Sequence, residues 1–213
     1  MTSATVTCST PRSFSQIAPD TRQRLIDVAV RLFARHSFAG TSLQMIADEM
    51  GITKAAVYHH FRTREELLSA VVEPALRQLR AGIESAETKR TPHARAEHLL
   101  TAYATLAVEH RAVVAVLATD PGAIDLLRGQ PESSDLLNRQ LAILADITPG
   151  PAGYVNATIV LAGIASAARP TIVHVDDDVL LRQLVEAGRR ALGLRAPRRP
   201  APATSQPEPD STA

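Results

Sequence analysis

A single cysteine, Cys8, cannot form an intrachain disulfide, and its place in a Ser/Thr-rich leader fits a reducing compartment. Aromatic residues make up only 3% of the chain; residues 92–194, rich in Ala, Leu and Val, hold just Tyr103 and Tyr154. Charge of one sign is also lacking. The formal net charge is +1, so no global field attracts nucleic acid or a membrane, and any such partner has to be met by a local patch. The opening "MTSATVTCSTPRSFSQ" has no apolar h-region and does not read as a secretory signal. The most apolar run, "AGYVNATIVLAGIASAA" (152–168), relies on Ala and Gly and carries Asn156, Thr158 and Ser166. It reads as a buried or interface helix rather than a membrane span. What is present, 213 residues with 45% apolar and 21% charged, describes a soluble, cytoplasmic chain of one or two small domains.

Nearly every periodic stretch has helical spacing, and no run alternates as a strand. A first helix opens at Asp20 or Thr21 and places Leu25, Ala29, Leu32 and Phe33 on one face. "HSFAGTS" ends it: Gly40 permits a tight turn, and Thr41 or Ser42 caps a second helix with Leu43, Ile46, Ala47 and Met50 inward. Gly51 closes that helix, Thr53 caps a third over 54–60, and "TREE" from Thr63 is a capping box for a fourth. The fourth runs on until Pro74 kinks or interrupts it. Further helices are expected over 92–110, 111–119, 134–147, 153–169 and 178–192, separated by "DPG", "RGQPESS", "TPGPAG" and "RPTIVHVDDD", with Gly193 as a terminal cap. The Pro-rich end reads as disordered. The expected division is a disordered leader (1–18), a helix-turn-helix domain (19–66), a helical domain (67–195) and a disordered tail (196–213).

The stretch "GITKAAVYHHF" (51–61) concentrates one Tyr, one Phe and two His in a chain otherwise poor in such residues. Small Ala47 allows a second helix to cross closely, Gly51 takes the left-handed conformation of a sharp turn, and Ile52 and Val57 fill the space between. That is a helix-turn-helix. Its last helix presents Thr53, Lys54, Ala55, Tyr58, His59 and His60, groups suited to a groove edge and to phosphates. Adjacent His59 and His60 point about 100° apart on a helix and cannot share one ion, so no metal or other cofactor is expected. His93, His98 and His110 have no ligand spacing, and "VDDDV" (175–179) reads as helix capping rather than cation binding. No catalytic constellation is visible, so no enzyme is expected. Arg22, Arg24, Arg31 and Arg35 of the first helix read either as solvated charges or as phosphate attractors, and Arg12 as an arm or a plain tail.

Residues 27–73, through Ala29, Phe33, Gly40-Thr41-Ser42, Ile46-Ala47, Gly51-Ile52-Thr53-Lys54, Val57-Tyr58-His59-His60-Phe61 and Glu65-Glu66-Leu67, closely resemble the DNA-binding domain of the TetR/AcrR family of transcriptional regulators. The resemblance implies an all-α fold: an N-terminal three-helix helix-turn-helix DNA-binding domain plus a C-terminal helical ligand-binding and dimerisation domain. Carried over by position, Thr41, Thr53, Tyr58, His59, His60 and Arg64 are phosphate contacts, while Lys54 and Ala55, with Gln44, reach bases. Ala55 departs from the Gly frequent at that place in the family. The fourth helix, joining both domains, would carry the signal between them.

A helix-turn-helix unit reads a half-site weakly, so the partners expected are a palindromic double-stranded operator, a second copy of the chain and a small apolar or weakly polar effector, with no membrane. The expected dimer stripe is Ala157, Leu161, Ile164, Ala165 and Ala168 with Leu181, Leu184, Val185 and Leu192, unless those helices serve only as intramolecular core. Tyr103, Tyr154 and Asn156 are the pocket candidates, with ordinary core or interface as the alternative. The function expected is that of a repressor released by a small molecule; a rival is a DNA-bound scaffold whose helical half recruits a protein.

Overall fold

The computed structural model describes residues 21–169 and 172–194. The leader with Cys8 and Arg12, Asp20, and the tail from residue 195 lie outside them. Among the described residues there are ten helices and no strand: α1 (Thr21–Gly40), α2 (Leu43–Met50), α3 (Lys54–His60), α4 (Arg64–Glu87), α5 (Pro92–Glu109), α6 (Arg111–Thr119), α7 (Pro121–Arg128), α8 (Pro131–Ala145), α9 (Pro151–Ala167) and α10 (Asp177–Leu192). The chain is all-α, with an N-terminal helix-turn-helix and a helical C-terminal part. Two compact units divide between Val72 and Glu73, inside α4. Among the described residues no single helix is long and apolar enough to cross a membrane.

In the N-terminal unit, Leu25, Ala29, Leu32 and Phe33 of α1 are buried as the periodicity requires, and Ile46, Ala47, Val57 and Phe61 are sealed from solvent. Met50 and Ile52 are only half-buried. Ser42 caps α2 by accepting from the Met45 N–H at 3.1 Å. At its other end Gly51 sits at φ 65°, ψ 31°, and the Ile52 N–H bonds the Ala47 carbonyl at 3.0 Å. Thr53 then caps α3 through the Ala56 N–H at 3.2 Å.

The break in α1 falls at Ser37 rather than at Gly40. Ser37 is the one non-glycine residue with positive φ among those described (φ 65°, ψ 165°), a region costly to any residue with a Cβ. Its neighbours hold it: the Gly40 N–H donates to Ser37 Oγ at 3.2 Å, and the Thr41 hydroxyl donates to the Ser37 carbonyl at 2.8 Å. Phe38, turned inward by this break, packs edge-on to Phe33 with ring centroids 5.5 Å apart. At α4, Thr63 Oγ1 accepts from the Glu66 N–H, but Glu66 reaches back to the Arg62 N–H rather than to that of Thr63. The expected capping box is thus shifted by one residue on its return bond. α4 continues through Pro74 without interruption.

The core of the C-terminal unit is built from Leu79, Ile83, Leu99, Leu100, Ala107, Leu136, Leu144, Ala157, Ile164 and Leu184 with their neighbours. Four of its helices (α5, α7, α8 and α9) begin at a proline, the position where the missing N–H removes nothing the helix uses. Asp120 caps α7 through the Ala123 N–H at 3.2 Å, so "DPG" opens a helix where the sequence reads as a break. α9 starts close upon the end of α8: a Cβ on Gly153 would lie 2.3 Å from the carbonyl oxygens of Ala145 and Thr148, so only glycine fits there. In the "VDDDV" segment, Asp176 makes no side-chain cap bond, and Asp177 pairs with Arg111. Gly193 ends α10 at φ 71°.

One expectation is corrected by this packing. Ala157, Ile164, Ala165, Ala168, Leu184 and Leu192 are buried within the single chain, and Leu161, Leu181 and Val185 pack half-buried against the same core. A repeating apolar face looks alike whichever helices cover it, so periodicity alone does not separate a core stripe from one that faces a second chain. The outer side of α9 instead carries Tyr154, Val155 and Ile159, which are 55–59% exposed.

Candidate nucleic-acid interface

α3 is held by two inward groups, Val57 and the Phe61 that caps it. With those two sealed, Thr53, Lys54, Ala55, Tyr58 and His59 face solvent, while His60 is half-buried. Tyr58 is 44% exposed, an unusual state for a large aromatic ring. Its ring lies 5.4 Å from the Lys54 Nζ, a cation–π pairing that sets Lys54 and Tyr58 side by side. The His59 and His60 rings meet edge-to-face at 5.2 Å. Among the described residues no group of three or more His, Cys, Asp or Glu gathers as for a metal ion.

A groove of about 350 Å³ runs beside Lys54 and Tyr58 and is also lined by Ser42, Leu43, Gln44, Arg62, Thr63, Arg64 and Glu65. It brings together four of the residues singled out from the sequence: Gln44, Lys54, Tyr58 and Arg64. Gln44 is turned along its own helix, donating to Asp48 Oδ1 at 2.7 Å. Arg62 and Thr63 also line the groove, and neither is among the candidates from sequence. Arg62 follows the buried Phe61 directly, and that adjacency was the available signal.

Two residues assigned to phosphate from sequence also bond within the chain. Thr41 is only 1% exposed, and its hydroxyl proton is used by the Ser37 carbonyl. Arg64 donates from one guanidinium nitrogen to the carbonyls of Phe38, Ala39 and Thr41 at 2.9–3.1 Å, and its Cζ lies 5.1 Å from the Phe38 ring centroid. Arg64 therefore satisfies the carbonyls left open where α1 breaks, a role that no spacing rule reveals. On α1, Arg22 lies over the Phe61 ring at 5.1 Å and Arg31 donates to the Asp27 carbonyl at 3.4 Å.

The C-terminal unit holds a separate cavity of about 630 Å³, bounded by parts of α4 to α9. Of the three pocket candidates, only Tyr103 lines it. Its phenol donates to the Leu161 carbonyl at 3.4 Å, and burial pushes its pKa up to about 12. Tyr154 borders a different, shallower hollow with Arg95, Asp146 and Thr148, and Asn156 lines neither. Both sit on α9 but turn away from the cavity.

Tyr103 makes stability depend on pH at the alkaline end. Between pH 10 and 12 the unfolded chain releases a phenolic proton that the folded chain keeps, so stability falls as pH rises through that window. Denaturant unfolding of the wild type and Tyr103→Phe, compared from pH 8 to 11, should show a constant difference below pH 10 and a growing relative loss in the wild type above it. A constant difference throughout would place the phenol in solvent.

An all-helical chain whose first unit is a helix-turn-helix with an outward polar helix is the class these observations define. Residues 25–71 match the model of the bacterial regulatory proteins of the tetR family. The chain is 42% identical over 62 residues to the HTH-type transcriptional regulator AcrR of Shigella flexneri, and 39% identical over 61 residues to a probable acrEF/envCD operon repressor of Escherichia coli K12. These matches cover 29% and 28% of this chain and 29% and 28% of those proteins. The ketosteroid transcriptional regulator KstR2 of Mycobacterium tuberculosis shares the fold, with a TM-score of 0.64 over 83% of this chain and 95% of its own at 22% identity. The N-terminal unit thus carries a domain of the tetR-family type over residues 25–71.

Proposed function

We propose that this protein is a DNA-binding transcriptional regulator, a homodimeric repressor whose hold on a palindromic operator is released by a small molecule. The observation that carries the reading is the outer face of α3: Thr53, Lys54, Ala55, Tyr58 and His59 stand in solvent on a helix anchored from behind by Val57 and Phe61. Such a helix enters a major groove with its first residues at base edges and its polar neighbours on phosphates. Lys54 and Ala55 take the bases; Thr53, Tyr58, His59 and His60 take the backbone, joined by Arg62. Arg64 and Thr41 also support this surface from within, bonding the turn that joins α1 to α2. The matched relatives are regulators and a probable repressor, which is the support for repression.

Dimerisation is proposed through the outer side of α9. This helix is apolar all round, yet Tyr154, Val155 and Ile159 are left in solvent by their own chain, a pattern that calls for a covering partner. The cavity around Tyr103 is proposed as the effector site, since its volume lies within the range of small-molecule pockets. That cavity favours a sensing domain over a scaffold that only recruits protein.

Lys54→Ala tests the DNA reading. A loss of about 1–3 kcal/mol with relaxed sequence preference marks a base contact, and a uniform loss across sequences marks phosphate alone. Unchanged affinity for every DNA tested would remove α3 from the interface.

A further inference from the structure

Gln140, on α8, is only 3% exposed and is one of the residues lining the cavity of the C-terminal unit. Its Nε2 is buried and finds no hydrogen-bond acceptor in the protein. A buried amide donor left without a partner costs about 1–3 kcal/mol, so a group that brings an acceptor to it has a built-in advantage. The rest of the wall is mostly aliphatic, with Leu79, Leu137, Leu141 and Leu161 among its members. Its charged members are Arg128 and Arg169, and no Asp or Glu is among them. Arg169 is steadied by donating to the Ser166 carbonyl at 3.2 Å and to its hydroxyl at 3.1 Å. A wall with two cations and no anion repels a positively charged guest and tolerates a negative one, the more so in a cavity of low polarity.

We infer that this cavity takes an apolar molecule bearing an oxygen acceptor, a carbonyl or carboxylate, which receives the Gln140 amide N–H, and that it rejects lipophilic cations. The inference rests on the reading of the cavity as the effector site and adds the chemistry of what enters it. Tyr103 has its proton committed to Leu161, which leaves Gln140 as the buried donor available to the guest.

Calorimetric titration of the full chain with decanoate, 2-decanone and decylammonium tests it. Decanoate and 2-decanone are expected to bind, decylammonium at least tenfold more weakly than decanoate. Gln140→Leu is expected to weaken the two acceptors tenfold or more, and Gln140→Met, closer in shape and equally without a donor, to do the same should the leucine variant fold poorly. Equal affinities in the wild type and a folded variant, or a preference for decylammonium, would overturn the inference while leaving the cavity a binding site. Binding of none of the three would overturn the effector-site reading itself.

Discussion

Phe61→Ala is expected to unfold the N-terminal unit while leaving the C-terminal unit folded. Phe61 is 1% exposed, caps α3, and lies beneath the Arg22 guanidinium. α3 has seven residues and buries Val57 as its one other anchor. A helix that short is not stable alone and depends on such packing. Truncating a buried phenylalanine costs about 3–5 kcal/mol through lost burial and the cavity left behind, a large share of what holds a small domain together. Thermal unfolding followed by circular dichroism should show the N-terminal transition shifted below working temperature, with the C-terminal transition in place. DNA affinity should vanish with it. A variant that melts like the wild type would mean that α3 is held by something other than this ring.

Ile159→Glu is expected to split the proposed dimer without harming the protomer. Ile159 is 59% exposed in the single chain, so a carboxylate there is solvated and costs the folded monomer little. Against a second apolar surface the same carboxylate would be buried without a partner. That penalty is about 3 kcal/mol or more, enough to weaken association a hundredfold. Light scattering after size exclusion should give the mass of two chains for the wild type and of one for the variant. Operator affinity should fall as well, because a single head reads one half-site. A dimer of unchanged strength would place the interface elsewhere.

The N-terminal unit was legible because its constraints are local. Ser42, Gly51 and Thr53 each act within a few residues of themselves, so their spacing announces caps and turn alike. The internal bonds of Thr41 and Arg64 were not legible because their partners lie at the break at Ser37, 25 residues before Arg64 in the case of Ala39, and nothing in the sequence marks a serine as the residue with positive φ. In the second half, prolines misled. Pro121 and Pro131 read as breaks, yet each stands in the first turn of a helix, and α7 went unseen altogether. α9 was recognised as an interface or core helix, but its apolar residues surround it on all sides. Periodicity therefore could not tell Ala157 and Ile164, which face inward, from Val155 and Ile159, which do not. Tyr103 entered the cavity wall and Tyr154 did not because they stand on different helices, α5 and α9, whose packing decides which side chains face the cavity. Gln140 drew no notice, since a glutamine in an exposed-looking helix becomes informative only when its burial is known.

The most direct test of the central claim is selection of fragmented genomic DNA on the purified protein, with sequencing of what is retained. An enriched palindrome, lost in Lys54→Ala with the fold intact, is the predicted result. No retention even at low salt, where phosphate contacts are strongest, would contradict the assignment of α3 to DNA.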